Sequence, residues 1–133
     1  MSLDLNTSLP PELGPISWLH GVWEGTGVLD YRLDDDTVHK AEFGQRVSFS
    51  NDGLPYLNYS SFTWLLDDAK TPLVSETGYW RLGRDLQDFD AGPGMIPPTG
   101  TTPYTGVESV EPLRNEREGF DLEVAIVHPN GVN

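Results

Sequence analysis

Cysteine is absent from the 133-residue sequence. Its absence excludes disulfides, thiolate nucleophiles and thiolate-held zinc or iron, and it predicts a chain of the reducing cytoplasm. Cations are scarce as well: 8 Lys and Arg stand against 21 Asp and Glu, a formal charge of −13. Such a field repels phosphate backbones and anionic lipid surfaces, so nucleic acid and membranes are set aside as partners. No run of about 18 apolar residues offers a membrane-spanning helix, and the N-terminus has no basic and then apolar signal region. Paired carboxylates suited to acid/base catalysis are missing too, because the acidic runs Asp34-Asp35-Asp36 and Asp67-Asp68 fall in turns. No catalytic residue and no metal ligand is assigned on these grounds.

What is present is an ordinary globular composition, 37% hydrophobic and 11% aromatic, which predicts one domain over residues 1–133. Residues 1–10 read as a loose leader. Leu13, Ile16 and Leu19 then recur at helical spacing, but Gly14 and Pro15 limit any helix to a turn or two. Next comes Gly21-Val22-Trp23-Glu24-Gly25-Thr26-Gly27, a G-x-W-x-G-x-G run. Glycines at 21, 25 and 27 allow sharp bending or close approach, and Trp23 offers a large surface for burial. The run predicts the first strand of a closing barrel, with Trp23 buried as a plug at the end that the short helix caps.

Over residues 37–50 the odd positions Thr37, His39, Ala41, Phe43, Gln45, Val47 and Phe49 are largely apolar, and the even positions are polar apart from Val38. Period two with one apolar face is a half-buried strand. Phe43, Gln45, Val47 and Phe49 are therefore expected to line an interior pocket, with Thr37, His39 and Gln45 as polar exceptions that need partners. Asn51-Asp52-Gly53 is a hairpin turn, and residues 55–66 form a strand aromatic on both faces, suited to an interior and to a second surface such as a homodimer partner. In the strand over residues 74–82, Glu76 shares parity with Val74 and Trp80; it is read as an ion-pair partner of Arg46 or Arg81, with an inward acid as the alternative. Residues 86–119 are Pro/Gly-rich at their start and show no sustained period, so they predict an insertion that lids a barrel mouth. Phe120, Leu122, Val124 and Ile126 mark the last strand, and His128 continues their parity before the Pro129-Asn130-Gly131 turn. His20, beside Gly21, reads as a surface or capping residue.

The fold class expected is all-β: an antiparallel β-barrel with a short N-terminal helical cap. About five long strands are visible, and closure takes roughly eight or more, so C-terminal strands are expected to follow this chain.

Taken in order, the G-x-W-x-G-x-G run, the strand over residues 37–47, Gly53-Leu54-Pro55-Tyr56-Leu57-Asn58-Tyr59, Ser75-Glu76-Thr77-Gly78-Tyr79-Trp80-Arg81 and Val127-His128-Pro129-Asn130-Gly131 resemble the nitrobindin family. The resemblance implies a barrel of the fatty-acid-binding-protein or lipocalin type. It also implies that ferric haem b is the cofactor and that peroxynitrite is isomerised to nitrate. By register it places a haem-pocket threonine of the family on Thr37, with His39 beside it. The family's iron is held by a histidine near its extreme C-terminus, and His20, His39 and His128 do not match that position. The expectation for this chain is therefore a barrel binding a small apolar or aromatic ligand, with haem chemistry or a protein-interaction role as alternatives.

Overall fold

The structure, a computed structural model, describes residues 9–131; most of the expected leader lies outside them. The chain enters through a 3-10 helix, η1 (Pro11–Leu19). Pro15 inside it has no N–H to give, so the tighter helix forms where an α-helix would lose a hydrogen bond. Five strands follow, β1 (Gly21–Arg32), β2 (Val38–Ser50), β3 (Leu57–Leu65), β4 (Pro72–Leu82) and β5 (Leu122–Val127). They make one antiparallel sheet in chain order, β1-β2-β3-β4-β5. Among the described residues β1 does not pair with β5, so the sheet is open: its five strands are fewer than closure of the expected barrel takes.

Register fixes the faces. Trp23 stands opposite Val47, Gly27 opposite Phe43, Phe49 opposite Tyr59, Leu57 opposite Trp80 and Gly78 opposite Ile126. Directly paired residues share a face, so all of these point to one side. Leu9, Leu13 and Ile16 cover that side at its centre, burying Phe49, Leu57 and Tyr59, while Val47, Trp80 and Ile126 pack around them. Arg46 and Glu42 point to the other, exposed side, where Arg46 Nε donates to Glu24 Oε1 at 2.9 Å.

Trp23 is not the buried plug that was expected, for it is 48% exposed. The cap sits over β2, β3 and β4 and leaves the edge strand uncovered. Trp23 instead clasps the cap to β1: its Nε1 donates to Leu19 O at 2.8 Å and its ring meets Trp18 edge-on. The motif glycines have separate reasons. Gly21 adopts φ 134°, open to a residue without Cβ, and the Phe43 ring lies where a Cβ on Gly27 would be.

The segment expected to be an irregular lid is instead anchored. It carries two further 3-10 turns, η2 (Pro93–Met95) and η3 (Val107–Leu113), and its base is closed by Gly83 N–H donating to Asp121 O at 2.7 Å. Arg84 is the anchor. Its guanidinium binds Glu12 of η1 and Asp90 of the insertion, with nearest contacts of 2.7 Å to each, and lies over the rings of Phe89 and Tyr104, which meet edge-on. No helix among the described residues is long and apolar enough to cross a membrane.

Candidate functional site

The covered face is apolar except along one polar line. Strand alternation places Gln45 of β2, Tyr59 and Ser61 of β3 and Glu76 of β4 on it, and His128 follows β5 on the same side. Gln45 Nε2 donates to Ser61 Oγ at 2.9 Å. The Tyr59 hydroxyl donates to Glu76 Oε1 at 2.7 Å, and His128 Nε2 lies 2.8 Å from Glu76 Oε2. The hydrogen bond from Tyr59, and after it that from His128, holds the Glu76 carboxyl below the usual carboxylate range. Burial, reinforced by Glu76, raises the Tyr59 phenol above its ordinary value. An ionised carboxylate only accepts, so the His128 nitrogen facing Glu76 carries a proton.

Beside this line stands an aromatic cluster. Phe49, Tyr59 and Trp80 meet with ring centroids 5.2 to 5.7 Å apart. Trp80 Nε1 is buried and has no hydrogen-bond partner among the described residues, an unsatisfied donor of the kind that a ligand acceptor could meet. A depression of about 430 Å³ lies elsewhere, between η1 and η3, but Glu111 and Arg114 at its rim are spent on one another. The chemistry is on the sheet.

Of the residues singled out in the sequence, Phe43, Gln45, Val47 and Phe49 stand on the covered face, Phe49 buried and the other three half-buried. Thr37 does not join them. It precedes β2, exposed, and its backbone N–H is taken by Asp35. His39 has the right parity but sits at the exposed end of the β1–β2 hairpin, its ring stacked on Tyr31 at 5.3 Å. His20 is the half-buried residue that ends η1. Glu76 is the inward acid and not the partner of Arg46 or Arg81, which pair with Glu24 and Glu123. The union of Tyr59, Glu76 and His128 was missed. Parity grouped Glu76 with Val74 and Trp80 and His128 with the apolar face of the last strand, but left the side of Tyr59 open, and only the turn lengths between strands bring the three level. Among the described residues no cluster of three or more His, Asp or Glu is placed to hold a metal ion.

Comparison with known proteins adds a second line of observation. Residues 12–133 match the family described as "THAP4-like, heme-binding beta-barrel domain". The chain is 59% identical over 132 residues to a peroxynitrite isomerase of Clavibacter michiganensis subsp. michiganensis, covering 98% of this chain and 66% of that protein. It is 47% identical over 135 residues to a peroxynitrite isomerase of Paenarthrobacter aurescens, covering 99% of this chain and again 66% of the relative. It thus spans somewhat less than two thirds of these relatives. The crystal structure of Rv2717c from M. tuberculosis aligns at a TM-score of 0.47 with 38% identity, over 55% of this chain and 42% of that one. The family match and the two named relatives favour the haem reading over the haem-free binding module expected from the histidines.

Proposed function

Because this chain belongs to the nitrobindin family, through its THAP4-like, heme-binding β-barrel domain, we propose that its covered face forms part of a ferric haem pocket and that it serves the isomerisation of peroxynitrite to nitrate. The observation that carries the reading is an apolar, aromatic sheet face bearing one polar cluster, in a chain 59% identical to a protein named peroxynitrite isomerase. Haem, when bound, supplies the rearrangement of peroxynitrite. The protein's part is to bind and to exclude water.

The face fits the flat, apolar body of the group. Phe43, Val47, Phe49 and Trp80 present rings and branched carbons on the covered face, Phe49 beneath the cap and Val47 and Trp80 packed against the same cluster, and Trp80 Nε1–H offers a donor. An axial donor is not assigned to this chain: His128 is engaged with Glu76, His39 is stacked on Tyr31 and His20 ends η1. Titration with hemin tests the reading. A saturable Soret band is expected, with loaded protein hastening peroxynitrite decay and raising the nitrate yield above that of free hemin. Val47→Arg, on the covered face, should abolish saturation, whereas Ser60→Arg, on the exposed face, should leave it intact. Absorbance that grows without saturating, or equal sensitivity to both substitutions, would overturn the proposal. A haem-free pocket for an apolar ligand is the second reading, favoured by the histidine engagements.

A further inference from the structure

Sulfur is scarce in this chain, which has no cysteine and two methionines. Met1 lies outside the described residues, so Met95 is the only thioether among them. It is also the most exposed of their large apolar side chains, at 96% where no other exceeds 68%. Its backbone is unusual as well: Met95 has φ 70° directly after Gly94 at φ 65°, a left-handed conformation that a residue with a Cβ rarely adopts. The turn that imposes it is closed at its base. Gly92 N–H donates to Ile96 O at 2.9 Å, Thr99 N–H donates to Asp88 O at 2.8 Å, and Asp90 between them is clamped by Arg84. Pro93, Pro97 and Pro98 stiffen the same stretch. The thioether is thus held out into water by an anchored turn, and a backbone outlier so maintained calls for a reason in function.

We propose that Met95 is an oxidation site, which takes one oxygen atom from peroxynitrous acid and becomes methionine sulfoxide. A sulfur lone pair attacks the terminal peroxidic oxygen; the S–O bond forms as the O–O bond breaks. The bonding pair leaves with nitrite and the hydroxyl proton goes to water, so sulfur is oxidised by two electrons and the oxidant reduced by two. No base is required, because a thioether is nucleophilic without losing a proton. No thiol competes for the oxidant, since the chain has none. Sulfoxide formation in a core disrupts packing, but at 96% exposure Met95 has almost none to lose. The product is the substrate class of sulfoxide reductases, which return the thioether. The inference rests on the functional reading only for the identity of the oxidant, and the step needs neither haem nor the covered face.

The test is to treat the full chain, without hemin, with one equivalent of peroxynitrite at neutral pH and to map modifications by peptide mass spectrometry. A gain of about 16 Da on Met95 should precede any change at Trp18 or Tyr79, which are also exposed. Nitrite above the spontaneous yield should accompany it and be lost in Met95→Leu, which keeps the apolar bulk. The melting temperature of the oxidised chain should stay within about 1 °C of the parent, and methionine sulfoxide reductases should remove the oxygen from the folded protein. Tyrosine nitration or tryptophan oxidation ahead of the sulfoxide, an equal nitrite yield from Met95→Leu, or a sulfoxide reduced only after unfolding would each overturn the inference. A parent chain that fails to saturate with hemin would overturn the functional reading and leave the sulfoxide result standing.

Discussion

A single methyl group is a fine gauge of how closely two strands approach, and two glycines of this sheet answer it in opposite ways. A Cβ on Gly78 would lie 2.0 Å from Ala125 O and 2.9 Å from Ile126 Cα, backbone atoms of β5 that cannot step aside without breaking the ladder. A Cβ on Gly25 meets nothing within 4 Å, because β1 is an edge and the cap does not reach it. Gly78→Ala should therefore cost about 3 kcal/mol or more by overpacking. Gly25→Ala should gain about 0.5 to 1 kcal/mol, since alanine loses less backbone freedom on folding than glycine. Urea unfolding midpoints of the two variants check the pair. Equal effects would mean that the β4–β5 approach is looser than described.

Among the elements, the insertion depends most on one side chain. Arg84 is 6% exposed at its side chain and makes four charge-assisted contacts to Glu12 and Asp90. Arg84→Ala would leave two carboxylates buried without a counter-charge, and a loss of about 3 to 5 kcal/mol is expected. Hydrogen bonds from Arg84, then from the Gln87 N–H, hold the Asp90 carboxyl below its ordinary value. A depressed folded-state pKa stabilises the fold above the unfolded value near about 4, and that contribution fades as pH falls through the folded value. Thermal melts from neutral to acid should show the parent losing stability below about pH 4 and Arg84→Ala, already lacking the clamp, losing less there. This element also marks where sequence reading stops. Strand parity was legible because side chains alternate locally: Phe43, Gln45, Val47 and Phe49 fall on the face that their spacing assigns. Arg84 and Glu12 are 72 residues apart, and no local pattern joins them. A Pro/Gly-rich composition therefore read as irregular where a buried ion cluster holds the chain. Trp23 illustrates the same limit, since period two tells which face a ring takes and not whether the cap extends over it.

At the scale of the whole molecule the dominant fact is a formal charge of −13. Arg46, Arg81, Arg84 and Arg114, half of the eight cations, are each committed to a specific carboxylate. Those pairs neutralise charge locally, so the remaining field comes from carboxylates in the Asp34–Asp36 and Asp67–Asp68 turns and along the insertion, spread over an open sheet. Repulsion of this kind disfavours the compact state and is screened over about 10 Å at 0.1 M salt. Raising NaCl from about 10 to 150 mM should therefore raise the melting temperature by about 3 °C, even though it weakens the exposed pairs Arg46–Glu24 and Arg114–Glu111, which contribute little. Calorimetry at fixed pH across that range decides the matter: a melting temperature that falls with salt would mean that attractive pairs, and not net repulsion, govern the electrostatics of this fold.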